Sequence, residues 1–177
     1  MKIVDLGYDG KLRSDWIEFL GGQYSLIEKI RLRGIGSPRL IYQSGLEKFN
    51  FVGNRSNDTD YVNIELLKGE IAIRLKQEDY FVCALTPKTD LKKVNFESFK
   101  IKTYYQGREI IKLAARISLL IEDHTVDLLL SAAYYKPGLV FFKKPFFKNN
   151  VSFGVDPAPP IDDNGFDAGI LELLRFM

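Results

Sequence analysis

Two apolar runs that alternate with polar residues near the middle of the chain predict a β-hairpin. Each run places an apolar residue at every second position: Val62, Ile64 and Leu66, then Ile71, Ile73 and Leu75. A two-residue loop at Lys68-Gly69 sets Leu66 opposite Ile71 and puts all six side chains on one face of a sheet. A slip of one residue would expose half of them, so the pattern predicts this register.

Residues 99–121 predict a second hairpin with a longer loop. Every odd position from Ile111 to Ile121 is apolar, which is typical of a half-buried strand. A three-residue loop over residues 105–107 opposes Ile101 to Ile111, whereas a two-residue loop opposes Ile101 to Lys112. We therefore predict the three-residue loop, which also sets Phe99 opposite Leu113.

Two details of this stretch stay open. Residues 108–122 also fit a helical stripe, although Glu122-Asp123 would then place two carboxylates at the negative end of the helix dipole, so we favour a strand. Upstream, the apolar residues change phase between Phe96 and Phe99. That change predicts a bulge or break near Glu97-Ser98.

The remaining apolar clusters predict short elements. Ser25 and Glu28 have the spacing of a capping box, and Gly34 follows the apolar stretch, so a helix is predicted over residues 26–33. A shorter helix is predicted over residues 15–20, behind Ser14. The other predictions are strands over residues 40–42, 49–52 and 80–85, a permitted helix over 126–135 that Lys136-Pro137-Gly138 ends, and a strand over 139–147 that breaks at Pro145.

These elements together predict an α+β fold in one globular domain over residues 1–148, of which 1–38 form a helical and loop segment. The main part is an antiparallel sheet, a meander that could close as a small barrel, with one or two short helices. Residues 149–177 predict a linker rich in proline and aspartate, then an extended apolar C-terminal tail. A length of 177 residues with 46% hydrophobic residues suits one domain with its own core.

The composition and the first residues of the chain also indicate a cellular compartment, the cytoplasm. No run approaches the roughly 18 consecutive apolar residues of a membrane span. The first residues lack the apolar run of a secretory signal, and the single cysteine, Cys83, excludes an intramolecular disulfide. We therefore expect a cytoplasmic protein.

The C-terminal tail is the strongest candidate for a partner-binding segment. Residues 151–177 carry one basic and five acidic side chains, whereas residues 1–150 carry 24 basic and 18 acidic ones. The tail combines this acidity with an apolar terminus, which is typical of a peptide that docks in a groove of its own chain or of another. The predicted partner-binding residues are Phe166, Ile170, Leu171, Leu173, Leu174 and Phe176. The alternative is a tail that covers only its own core.

A segment that interleaves lysines with phenylalanines is the second candidate. Its residues are Lys136, Phe141, Phe142, Lys143, Lys144, Phe146, Phe147 and Lys148. Such a mixture suits anionic lipid, because aromatic side chains can insert while lysines neutralise phosphate. The competing interpretation is a strand with buried phenylalanines and solvated lysines. Lys29, Arg31, Arg33 and Arg39 form a further basic cluster around Gly34. A net charge of +2 argues against a dedicated nucleic-acid binder.

Residues with catalytic potential form no recognisable motif. Cys83 lies in an apolar run and His124, the only histidine, lies in an acidic turn, so nothing supports a catalytic Cys-His pair. The carboxylate pairs Glu78-Asp79, Glu122-Asp123 and Asp162-Asp163 lie in predicted turns, where acidic residues are common for backbone reasons. No catalytic, cofactor or metal residue is predicted.

Three functional hypotheses follow from these patterns. The leading one is a non-catalytic interaction or structural subunit that joins a larger assembly, or a second copy of itself, through its sheet edge and C-terminal tail. The second is a peripheral module that binds anionic lipid through residues 136–148. The third is an enzyme with an unrecognised carboxylate or cysteine site. No small-molecule substrate or cofactor is predicted, and a nucleic-acid partner is not expected.

Overall fold

A computed structural model describes residues 1–19, 21–46, 61–77 and 80–162. The described part of the chain is mostly β-structure with short helices and a few single turns of 3₁₀ helix. The strands are β1 (Lys2–Gly7), β2 (Leu40–Ser44), β3 (Tyr61–Leu66), β4 (Glu70–Gln77), β5 (Tyr80–Pro87), β6 (Leu91–Tyr105), β7 (Arg108–Ile121), β8 (His124–Leu130), β9 (Val151–Val155) and β10 (Ile161–Asp162), and the helices are α1 (Ser14–Phe19), α2 (Leu26–Arg31) and α3 (Tyr135–Phe142).

All ten strands belong to one mixed sheet. Its order is β1-β5-β4-β3-β2-β8-β7-β6. Both β9 and β10 pair with the edge of β6 that is opposite β7. The pairs are antiparallel except for β9 and β10, which run parallel to β6. The sheet is open, with β1 at one edge and the β9 and β10 segments at the other. The predicted closure as a small barrel is therefore wrong, and the sheet is not purely antiparallel.

The first hairpin, β3–β4, has the predicted register. Leu66 pairs with Ile71, Ile64 with Ile73 and Val62 with Leu75. The Leu67 amide donates a hydrogen bond to the Glu70 carbonyl oxygen at 2.9 Å, which closes a loop of two residues. All six apolar residues of the two runs are buried in one cluster. Burial of one face thus specified the register.

The second hairpin, β6–β7, confirms the strand prediction and corrects its loop. Tyr105 pairs with Arg108, so the loop has two residues, and Ile101 pairs with Lys112. Gln106 and Gly107 have φ values of 49° and 74°, the left-handed conformations that a type I′ turn requires. The predicted bulge at residues 97–98 is also wrong, because pairing is continuous from residue 93 to residue 105.

The reason for both errors is a second apolar cluster on the opposite face of the sheet. Phe99, which pairs with Ala114, and Ile101 pack there with Ile41, Ala114 and Leu129. The change of phase after Phe96 therefore marks a change of buried face and needs no extra residue. We call the face that carries Phe96 the inner face and the face that carries Phe99 the outer face.

The main core lies on the inner face, beneath α3 and the 3₁₀ turn Pro145–Phe147. Four phenylalanines from these elements are almost fully buried: Phe141, Phe142, Phe146 and Phe147. The Phe142 ring lies 5.8 Å from the Phe96 ring and 5.2 Å from the Phe147 ring, between centroids. The apolar side chains of the central strands surround this aromatic group.

The prediction of a strand over residues 139–147 is wrong. Helix α3 and the 3₁₀ turn Pro145–Phe147 form there instead. Pro137 lies in the first turn of α3, where its missing amide has no intrahelical acceptor to lose. Gly138 packs against Leu130, and a Cβ at residue 138 would overlap Leu130 Cδ2. The helix permitted over residues 126–135 does not form: residues 126–130 lie in strand β8 and residues 132–134 form a 3₁₀ turn. Lys136-Pro137-Gly138, predicted to end a helix, instead lies inside α3.

Other short elements agree with the sequence pattern in part. Helices α1 and α2 form where they were predicted, as do the strands β2 and β5. Strand β1 was not predicted, and residues 151–155 and 161–162 form strands where a linker was predicted. The predicted strand over residues 49–52 lies outside the described residues.

Candidate interaction surface

The lysine- and phenylalanine-rich segment does not form one exposed surface. Its phenylalanines belong to the main core, and the Lys144 side chain is only 7% exposed. Lys136, Lys143 and Lys148 remain exposed. The buried phenylalanines and three exposed lysines agree with the competing interpretation, whereas Lys144 is buried and the segment is a helix followed by a 3₁₀ turn instead of a strand.

Lys144 has a structural partner of its own. Its Nζ donates hydrogen bonds to the carbonyl oxygens of Leu32 at 2.7 Å, Arg33 at 3.3 Å and Gly34 at 2.5 Å. These carbonyls follow the last turn of α2, where helical acceptors lack partners and a cation is favourable. Desolvation by burial lowers the pKa of the Lys144 ammonium group. Lys144 therefore joins α2 to the aromatic core.

The β6–β7 hairpin extends beyond the part of the sheet that α3 covers. The hydroxyl groups of Ser98 and Tyr135 lie 2.8 Å apart, which joins the first residue of α3 to the inner face. Beyond Ser98 the hairpin continues as residues 100–113, which we call the arm. On the inner face of the arm, cross-strand pairs join a lysine to an apolar residue: Lys100 pairs with Leu113, and Lys102 pairs with Ile111.

Large apolar side chains are exposed on this inner face. We call them the arm patch: Tyr104, Ile111 and Leu113 on the arm, and Val155 on β9, which pairs with Ser98. Their side chains are between 40% and 69% exposed. On the outer face of the arm, Tyr105 and Ile110 are also exposed. Contiguous exposed apolar residues of this kind mark protein contact sites more often than they mark an ordinary surface.

Cations lie within the arm patch. Lys100 is exposed between the apolar residues, and Lys102 Nζ forms an ion pair with Glu109 Oε2 at 3.2 Å. An apolar surface that carries lysines suits a partner that is apolar and acidic.

The C-terminal segment leaves the described structure at the base of the arm. In β10, Ile161 pairs with Ile101 and Asp162 pairs with Lys102. Residues 163–177, with the predicted partner-binding residues Phe166, Ile170, Leu171, Leu173, Leu174 and Phe176, lie outside the described residues. The structure therefore fixes where the predicted docking segment begins.

Cys83 in β5 and His124 in β8 lie on strands that are not neighbours in the sheet. The candidate carboxylates Glu78, Asp79 and Asp163 lie outside the described residues. Cys83 is fully buried between β1 and β4, and burial raises the pKa of its thiol to about 12, so it carries no thiolate at neutral pH. His124 is exposed at the start of β8. In the part of the chain that the structure describes, no group of three or more His, Cys, Asp or Glu side chains is arranged to hold a metal ion.

A pocket of about 190 Å³ lies on the outer face between β2, β7 and β8, and Arg116 lines it. Asp127 accepts hydrogen bonds there from Ser118 at 2.7 Å and from Ser44 at 3.0 Å. An extra residue in β2, Gln43, bulges at the same place. Both carboxylate oxygens are satisfied by neighbouring hydroxyls, so the arrangement is that of a structural network.

Sequence reasoning missed the arm patch for a specific reason. The alternation of residues 111–121 predicted that Ile111 and Leu113 are buried like Ile117 and Leu119. Nothing in that alternation shows where the covering helix stops. The signal that could have located the arm is the Gln106-Gly107 loop, which fixes the length of the hairpin.

Within the described ranges, no helix is long and apolar enough to cross a membrane. No protein-family model, no curated protein and no solved structure gives a significant match to this chain.

Proposed function

We propose that this chain is a non-catalytic subunit that joins copies of itself into an assembly, with the arm patch of one copy receiving the C-terminal segment of another. The observation that carries the proposal is the uncovered arm patch, at least 40% exposed at each of its four residues. A rigid hairpin with an apolar face loses little conformational entropy when a partner binds.

Charge supports the C-terminal segment as the occupant. Residues 163–177 carry three acidic side chains and one basic one, together with seven large apolar residues. The arm presents Lys100 among its apolar side chains, and Lys102 lies beside it in the ion pair with Glu109. Lysines on one surface and carboxylates on the other favour encounter and fix orientation.

The sheet edge supplies a second part of the contact. Strand β9 pairs only with β6 among the described strands, so within that part of the chain its other edge is unpaired and suited to a further strand. An extended segment added at this edge would lie beside Phe153 and Val155, which are both exposed. Strand addition would then bring the partner to the border of the arm patch.

The test compares assembly by light scattering over a range of concentrations. The patch variant combines Tyr104→Ser, Ile111→Thr and Leu113→Thr, whereas the matched control combines Tyr105→Ser and Ile110→Thr on the outer face of the same arm. The intact chain and the control should associate, and the patch variant should associate on the order of tenfold more weakly or not at all. Circular dichroism checks that all three remain folded.

A truncation after Asp162 completes the test, because it keeps β9 and β10. The truncated chain should be a folded monomer, and a synthetic peptide of residues 163–177 should bind it but not its patch variant. A monomeric intact chain would overturn the assembly. If the peptide nevertheless bound the truncated chain, the segment would dock within its own chain.

A further inference from the structure

Helix α2 presents its apolar side chains to solvent. Leu26, Ile27 and Ile30 are each at least 63% exposed, and no residue of α2 is buried. A helix of six residues has little stability of its own in water. Helices of this length normally gain their stability by burying an apolar face, so the exposed face of α2 requires another explanation.

Polar contacts at both ends hold α2 in place. At the start, the Ser25 hydroxyl accepts the Glu28 amide at 3.3 Å and the Glu28 carboxylate accepts the Ser25 amide at 2.7 Å, a complete capping box. At the other end, Lys144 binds the carbonyls of Leu32, Arg33 and Gly34. The chain thus fixes a helix whose apolar residues contribute nothing to its own core.

The charges around α2 are arranged on both sides of its apolar face. At 100° per residue, Leu26, Ile30 and Ile27 fall within one sector, with Lys29 on one side and Arg31 on the other. Glu28 lies on the opposite side, where its carboxylate is 3.6 Å from Lys68 Nζ. Arg33, exposed just after the helix, adds a third cation. The face is therefore apolar with a cationic border.

We propose that α2 binds the surface of an anionic lipid bilayer, with Leu26, Ile27 and Ile30 inserted below the headgroups. Lys29, Arg31 and Arg33 then lie at the level of the phosphates. This site is independent of the arm patch. It also differs from the lysine- and phenylalanine-rich segment, whose aromatic side chains are buried.

The size of the face favours lipid over a protein groove. Six helical residues span about 9 Å. A stable protein interface buries roughly 800 Å² on each partner and uses about 20 to 30 residues a side. A bilayer accepts three aliphatic side chains without any such minimum, because each methylene that leaves water for the acyl region contributes favourably by itself.

Vesicle sedimentation of the full chain tests the proposal. The probes are phosphatidylcholine vesicles with and without phosphatidylserine. The apolar variant combines Ile27→Ser and Ile30→Ser, the charge variant combines Arg31→Glu and Arg33→Glu, and the matched control is the outer-face arm pair Tyr105→Ser and Ile110→Thr. Binding should require phosphatidylserine, and each α2 variant should weaken it by about tenfold or more.

The control should bind vesicles as the unaltered chain does. Absence of binding to both kinds of vesicle, or binding that survives the apolar variant, would overturn the proposal. If the apolar variant weakened self-association instead of vesicle binding, the occupant of α2 would be protein, which also overturns it. The patch variant of the arm should keep vesicle binding, so the two proposals fail separately.

Discussion

Helices α2 and α3 reach the same outcome, a fixed short helix, by opposite means. Helix α2 has a capping box at its start and buries none of its residues. Helix α3 has no side-chain cap, carries Pro137 and Gly138 in its first turns, and buries Gly138, Phe141 and Phe142. Local sequence signals specify α2, whereas contact with the rest of the fold specifies α3.

The contrast shows what each kind of helix is free to do. A helix that depends on burial cannot present its apolar residues to a partner without losing its own support. A helix that is held by contacts at its ends can present its apolar residues to a partner, because those residues do not stabilise it. Lys144 connects the two cases, since it follows α3 and caps α2.

The largest effect is expected from Phe142→Ala in α3. Loss of this fully buried ring leaves a cavity beside Phe96 and Phe147 and should lower the free energy of unfolding by about 3–5 kcal/mol. Urea unfolding measures it. Val140→Ala, at a half-exposed position of the same helix, serves as the control and should cost far less. Equal losses for the two variants would break the description of α3 as a helix held by burial.

Lys144→Met should have the next largest effect. It keeps the aliphatic stem but leaves three carbonyl oxygens without their donor, which should cost about 1–3 kcal/mol in unfolding free energy. Amide hydrogen exchange should rise at residues 26–34 and not in α3. The control Lys143→Met alters an exposed neighbour. Unchanged exchange in α2 would mean that Lys144 does not support it.

Ser25→Ala removes the cap at the start of α2. The expected cost is about 1 kcal/mol, with helix loss confined to α2. Ser25→Asp should restore most of it, because aspartate also accepts the Glu28 amide. A variant as stable as the original chain would show that the capping box is dispensable.

Acid should weaken the same cap. The Glu28 carboxylate accepts the Ser25 amide, and this hydrogen bond lowers the pKa of Glu28 below its ordinary value of 4.5. A carboxyl with a lowered folded pKa stabilises the fold above its unfolded pKa, and the stabilisation is lost as pH falls through the folded value. NMR titration should therefore place the midpoint of the Ser25 amide shift below 4.5. A midpoint at or above that value would contradict the cap.

Ile27→Ser should have the smallest effect on stability. The side chain is 63% exposed, so the change in unfolding free energy should stay within about 0.5 kcal/mol, even though vesicle binding should weaken. Urea unfolding beside Phe142→Ala makes the comparison direct. A cost of several kcal/mol would mean that α2 is supported by burial after all.

The parts of the fold that sequence could predict are those that local rules decide. The β3–β4 register follows from six alternating residues, and the α2 start follows from Ser25 and Glu28. The predicted length of the β6–β7 loop was wrong because Phe99 and Ile101 are buried on a different face from Phe96. Residues far along the chain determine which face is buried.

The strand prediction for residues 139–147 was wrong for the same physical reason. Residues 139–147 are apolar enough for either a strand or a buried helix, and periodicity alone does not separate the two. In the folded chain a helix buries Gly138, Phe141 and Phe142, the last two in the main core. The arm patch likewise depends on where the cover of α3 stops, which no local pattern records. The predicted docking residues of the C-terminal segment stay a prediction.

The parallel pairing of β9 with β6 has a consequence for synthesis of the chain. Ser152 and Asn95, whose side chains lie 3.0 Å apart, are separated by 57 residues. At about 5–20 residues per second, several seconds pass on the ribosome between the two strands. During that interval the nascent β6 edge has no strand to cover it, and a neighbouring nascent chain can pair there. The growing chain is therefore protected from aggregation at the β6 edge only after the last strands of the sheet have paired with it.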